Sequence, residues 1–126
     1  QEAAIAALSI DPAWIAERNG VYRERLELLV DGLRGIGLDA SLPRATLYLW
    51  TPIPQTGDGE GRPAWTSERF ARLLLARTGI AVAPGSFFGL AGEGFVRVSA
   101  TASTPKIREA VRRLEAFDPP WSPARA

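Results

Sequence analysis

Cysteine, histidine and methionine are absent from this 126-residue chain, and lysine occurs once, at Lys106. Without cysteine there is neither disulfide nor thiolate chemistry. Without histidine the commonest general base and the commonest metal ligand are both gone. No metal site is expected, and no side chain stands out as a catalytic group. No apolar run approaches the roughly 18 residues that a membrane-spanning helix needs, and no basic-then-apolar signal segment opens the chain. A net charge of +1 supplies no excess positive field to gather phosphates. Neither a membrane nor a nucleic acid is an expected partner, and the expected compartment is the cytoplasm.

What is present suits one globular domain with a real core, with 46% hydrophobic residues spread along the chain. The first residue is Gln1 and no methionine follows, so the chain reads as a processed product or a piece of something longer.

Residues 3–9, rich in alanine with Ile5 and Leu8, read as a short helix. Asp11-Pro12 restarts the helix, with Asp11 as N-cap and Pro12 where a missing N–H does no harm. Tyr22, Leu26, Leu29 and Leu33 then form one apolar stripe on a long helix over 13–34, which Gly35 and Gly37 end. Residues 46–53 (TLYLWTPI) read as a strand closed by prolines, and 55–63 (QTGDGEGRP) as a polar surface loop. A helix from Thr66 or Ser67 to Arg77 stops at Gly79. Strands are expected at 80–83 and 95–100. Thr104-Pro105 opens a last helix with Ile107, Val111, Leu114 and Phe117 inward, and Glu109 can pair with Arg113 outside. The predicted architecture is α/β (α+β), a small sheet of three to four strands covered by helices.

Several motifs carry little. Gly89-Leu90-Ala91-Gly92-Glu93-Gly94 is glycine-rich, but no lysine followed by serine or threonine comes after it, so it is not a phosphate loop. Arg108, Arg112 and Arg113 alternate with Glu109 and Glu115, the pattern of a solvated helix face. Asp58 and Glu60 lie in the polar loop, where nothing holds them at a catalytic separation.

Arg97 is different. Alternation along Phe95-Val96-Arg97-Val98-Ser99 puts Phe95, Arg97 and Ser99 on one sheet face and Val96 and Val98 on the other. An arginine on a mixed face is most often solvated, but its planar, permanently charged fork is also the group best suited to both oxygens of a carboxylate.

The residues around Arg97 carry a resemblance that bears on this choice. Pro84-Gly85-Ser86, Phe88-Gly89 and Gly92-Glu93-Gly94-Phe95 lead into it, and Tyr48-Leu49-Trp50 with Pro52 and Pro54 stands upstream. Through about Phe117 this order resembles the C-terminal small domain of pyridoxal-phosphate-dependent aminotransferases, the aspartate aminotransferase superfamily of fold type I. Its details are nearest the LL-diaminopimelate and aspartate types. The resemblance implies that residues 1–12 end an interdomain segment, 13–118 form the small domain and 119–126 a Pro-rich tail.

It also implies a function. Arg97 would bind the α-carboxylate of the substrate with Tyr48 and Phe88 beside it, and the strand from Tyr48 to Trp50 and the Phe87-Phe88 turn would line the pocket and help exclude water. The parent would transfer an amino group between an amino acid and a 2-oxo acid, using pyridoxal 5'-phosphate, as a homodimer with a large domain. Lys106, just after Thr104-Pro105, does not resemble the family's imine-forming lysine. No cofactor is expected on this chain alone, and the isolated chain is expected to be inactive. Two alternatives stand: a non-catalytic aminotransferase-like binding domain, or a parent with another chemistry of the same cofactor.

Overall fold

The computed structural model describes residues 1–55 and 65–121. Helix α1 (Glu2–Leu8) and the first half of α2 (Pro12–Gly35) bury nothing. Asp11 caps α2 as its sequence predicts, accepting the Ala13 N–H at 2.8 Å. From Leu26 onward α2 turns its stripe into the core: Leu26, Leu29, Val30 and Leu33 are all buried. Gly32 lets α4 (Thr104–Glu115) approach closely, since a Cβ there would lie 3.2 Å from the Val111 methyl carbons.

Three strands form an antiparallel sheet in the order β1 (Tyr48–Pro52), β3 (Phe95–Ser99), β2 (Ala83–Pro84). Alternation divides the sheet as expected. Leu49, Thr51, Val96 and Val98 are buried against the helices, whereas Tyr48 and Trp50 are exposed and Phe95 and Arg97 half-buried. Phe70 and Leu74 of α3 (Ser67–Thr78) complete the core. Gly79, at φ 72°, closes α3 in the left-handed conformation that its missing side chain permits. Sheet and helices thus agree with the α+β reading.

Two details differ from the sequence expectation. The strand expected at 80–83 pairs only through Ala83 and Pro84, opposite Arg97 and Val96. Ile80 and Val82 instead pack against the core as irregular chain. After β2 the backbone makes two 3-10 turns, Gly85–Phe88 and Leu90–Gly92. Beyond α4, Trp121 folds back onto the body. Its indole N–H donates to the Ile36 carbonyl at 2.8 Å, and its ring meets Trp65, Phe70 and Phe117. The expected surface loop at 55–63 lies outside the described residues except for Gln55.

Candidate functional site

The open face of the sheet carries the side chains of interest. The guanidinium carbon of Arg97 lies 4.5 Å from the centre of the Tyr48 ring and 4.5 Å from that of Phe88. The three residues singled out in the sequence are therefore one cluster. β1 supplies Tyr48, β3 supplies Arg97, and the first 3-10 turn swings Phe88 over the sheet. Two rings whose negative π faces meet the cation hold it in place. No hydrogen bond or ion pair joins the Arg97 guanidinium to any group among the described residues. Its N–H donors are available to an incoming anion, and a carboxylate matches their fork.

Two further aromatic residues complete the cluster: Trp50, which ends the strand expected to line the pocket, and Phe95, which sequence reasoning did not assign to the site. Trp50 stacks on Phe95 with centroids 5.7 Å apart and planes 18° from parallel, and meets Phe88 edge-on at 5.6 Å. For Phe95 the signal was available, since it shares the parity of Arg97 on β3. Phe87, by contrast, is 70% exposed.

A second group of contacts joins the segment that carries Phe88 to α3. The Glu93 carboxylate accepts the Ser67 N–H at 2.6 Å, the Ser67 hydroxyl at 2.9 Å and the Gly94 N–H at 3.1 Å. These bonds, the Ser67 N–H foremost, hold the Glu93 carboxyl below its ordinary pKa against the opposing effect of burial. Ser67 Oγ also lies 3.1 Å from Ser86 Oγ and accepts the Ser86 N–H at 3.3 Å. A glutamate closing the N-terminus of α3 from 26 residues downstream leaves no local motif in the sequence.

Elsewhere, a groove of about 670 Å³ runs between α2 and residues 42–47, with Trp14, Tyr22, Leu42 and Pro43 among its walls. It contains none of Arg97, Tyr48 and Phe88, and its lining offers no acid–base pair. Lys106 lies exposed on the first turn of α4. Among the described residues no cluster of acidic side chains could hold a metal ion, and no helix is long and apolar enough to cross a membrane.

Comparison with known proteins shows the family of the chain. The sequence profile of aminotransferase class I and II matches residues 1–114. The chain belongs to the class I and II aminotransferase family. It is 42% identical over 114 residues to an LL-diaminopimelate aminotransferase of Syntrophobacter fumaroxidans, a match covering 90% of this chain and 27% of that protein. A Gloeobacter violaceus LL-diaminopimelate aminotransferase is 40% identical over 116 residues, covering 92% and 28%. Among solved structures, the aromatic aminotransferase of Pyrococcus horikoshii OT3 superposes with a TM-score of 0.74 at 36% identity, covering 90% of this chain and 29% of that one. The L,L-diaminopimelate aminotransferase of Chlamydomonas reinhardtii gives 0.67 at 32%, covering 84% and 25%. The chain thus spans roughly a quarter of the length of these aminotransferases, and the fold-type-I resemblance read from its sequence is borne out.

Proposed function

We propose that this chain is the C-terminal, substrate-carboxylate-binding part of a pyridoxal-phosphate-dependent aminotransferase that moves an amino group between an amino acid and a 2-oxo acid. One observation carries the reading: the Arg97 guanidinium, with no ion pair among the described residues, is held between the Tyr48 and Phe88 rings on an open sheet face. The high identity to LL-diaminopimelate aminotransferases favours an amino acid of that kind as substrate.

The cofactor supplies the electron sink for amino-group transfer. The residues here do not fit the task of anchoring it, because the single lysine is Lys106, exposed on α4 rather than on the aromatic face. Those groups would come from the remainder of the enzyme, with its large domain and its second subunit. What Arg97 contributes is position. Two N–H donors gripping both carboxylate oxygens fix the substrate's Cα relative to the reacting groups, and the surrounding rings keep water off the grip.

The exposed aromatic face, with Ile5, Leu8, Trp14 and Ile15 also exposed, favours a part of a larger body over a self-sufficient binding domain. The deciding experiment is Arg97→Lys in the longer enzyme that carries this chain. A fall in kcat/KM for the amino acid supports the assignment, and unchanged kcat/KM removes it.

A further inference from the structure

The grip on Arg97 has two halves of different origin. Tyr48 sits on β1, anchored by the ladder to β3. Phe88 sits on a turn between Pro84 and Phe95 that makes no ladder bonds of its own; besides the edge of Trp50 against its ring, the base of the turn must hold it over the guanidinium. Two features close the base of that turn. Gly85 and Gly92 approach so tightly that a Cβ on either would collide with the other's carbonyl oxygen. Beside them, Glu93 takes both the backbone and the hydroxyl proton of Ser67, and Ser67 Oγ in turn holds Ser86 by its N–H and its hydroxyl. Ser67 is fully buried at the start of α3, so the anchor point is rigid. A charged acceptor makes these the stronger hydrogen bonds of the region.

We propose that Glu93 is a positioning residue: through Ser67 and Ser86 it ties the base of the 85–92 turn to α3 and so holds the Phe88 ring on the Arg97 guanidinium. Glu93 touches no substrate. It acts on the direction in which Arg97 presents its donors, and its link to catalysis rests on Arg97 being the carboxylate-binding group. One face of the cation is then set by the sheet, through Tyr48, and the other by the Phe88 turn, which Glu93 ties to α3 and Trp50 meets from β1.

The test is nuclear magnetic resonance of the 126-residue chain with labelled arginine, phenylalanine and tyrosine. It reads the proton–proton contacts of the Arg97 side chain with the Phe88 and Tyr48 rings. In Glu93→Ala the Phe88 contact is lost while the Tyr48 contact persists. Glu93→Gln, which keeps an acceptor for the Ser67 N–H, retains part of it. Ser86→Ala, which removes only the hydroxyl link, weakens the Phe88 contact and serves as the deciding variant if Glu93→Ala does not fold. A Phe88 contact at wild-type strength in Ser86→Ala and in any folded Glu93 variant overturns the proposal, as does equal loss of both ring contacts. In the longer enzyme, Glu93→Ala raises KM for the amino acid about 2- to 5-fold with kcat nearly unchanged, the size of one exposed cation–π contact. If Arg97→Lys there leaves KM untouched, the carboxylate assignment fails while the Glu93–Phe88 linkage is still judged by the resonance data.

Discussion

Trp50 stands directly opposite Arg97 in the β1–β3 ladder, yet the β1 ring that meets the guanidinium is Tyr48, two residues away. Trp50 leans the other way and stacks on Phe95. Diagonal reach of this kind is ordinary for long side chains on one sheet face. Here it leaves Arg97 flanked by Tyr48 and Phe88, while Trp50 and Phe95 form a wall beside it.

That arrangement sets the expectation for Arg97 itself. In the longer enzyme, Arg97→Ala lowers kcat/KM for the amino acid by about 30- to several thousand-fold, corresponding to about 2–5 kcal/mol for removing one partner of a desolvated charge pair. Arg97→Lys recovers only part, because a point charge cannot fork. Steady-state kinetics on an amino acid and on an amine lacking the carboxylate separate the cases. Only the amino acid loses rate if Arg97 reads the carboxylate.

A second expectation concerns the neck of the turn. Gly85 does not need an unusual φ; it needs the absence of a side chain, since a Cβ there would also stand 2.7 Å from the Phe95 carbonyl oxygen. Backbone cannot move aside as a side chain end can. Gly85→Ala therefore destabilises the 126-residue chain by about 1–3 kcal/mol, measured by denaturant titration. Gly89→Ala is the contrast: nothing surrounds its Cβ position, but its φ of 105° is one that an alanine resists.

The core offers a change in the opposite direction. Thr51 is fully buried, and its hydroxyl has no hydrogen-bond partner among the described residues. Valine has nearly the same shape without the unpaired polar atom. Thr51→Val is expected to stabilise the chain by about 1 kcal/mol, the low end of what an unsatisfied buried hydroxyl costs. Denaturant midpoints compare the two proteins, and a lower midpoint for the variant would show that the hydroxyl has a role the packing does not display.

Much of this was legible in the residues. Asp11-Pro12, Thr104-Pro105 and Gly79 announce helix ends through backbone chemistry that acts locally, and the structure honours each. The two faces of β3 follow from parity alone. What escaped was set by partners distant in sequence. Ile80 and Val82 look like strand residues, but only Ala83 and Pro84 reach β3, and pairing depends on where the partner lies. Trp121 sits in a segment that reads as a tail, yet its ring fills a gap beside Phe70. The bond from Glu93 to Ser67 closes a contact across 26 positions, with no local signal to betray it.

The same bond yields the last expectation, a dependence on pH. In the folded chain the Glu93 carboxylate is held below its ordinary pKa chiefly by the Ser67 N–H; in the unfolded chain that donor is gone and the carboxyl titrates near its usual value of about 4.3. Between the two values the unfolded state binds the extra proton, so stability rises with pH across that window. The contribution of Glu93 is fully present above the unfolded value and disappears as pH falls through the folded one. Because the side chain is largely exposed, solvent moderates its size. Glu93→Gln should therefore melt below the wild type at pH 7, and the gap should close as the pH is lowered past the carboxylate range. Melting both proteins side by side from pH 7 to pH 3 cancels the titration of the other carboxylates. A gap that stays constant over that range would mean that the charge on Glu93, as opposed to its shape, contributes nothing to holding the turn against α3.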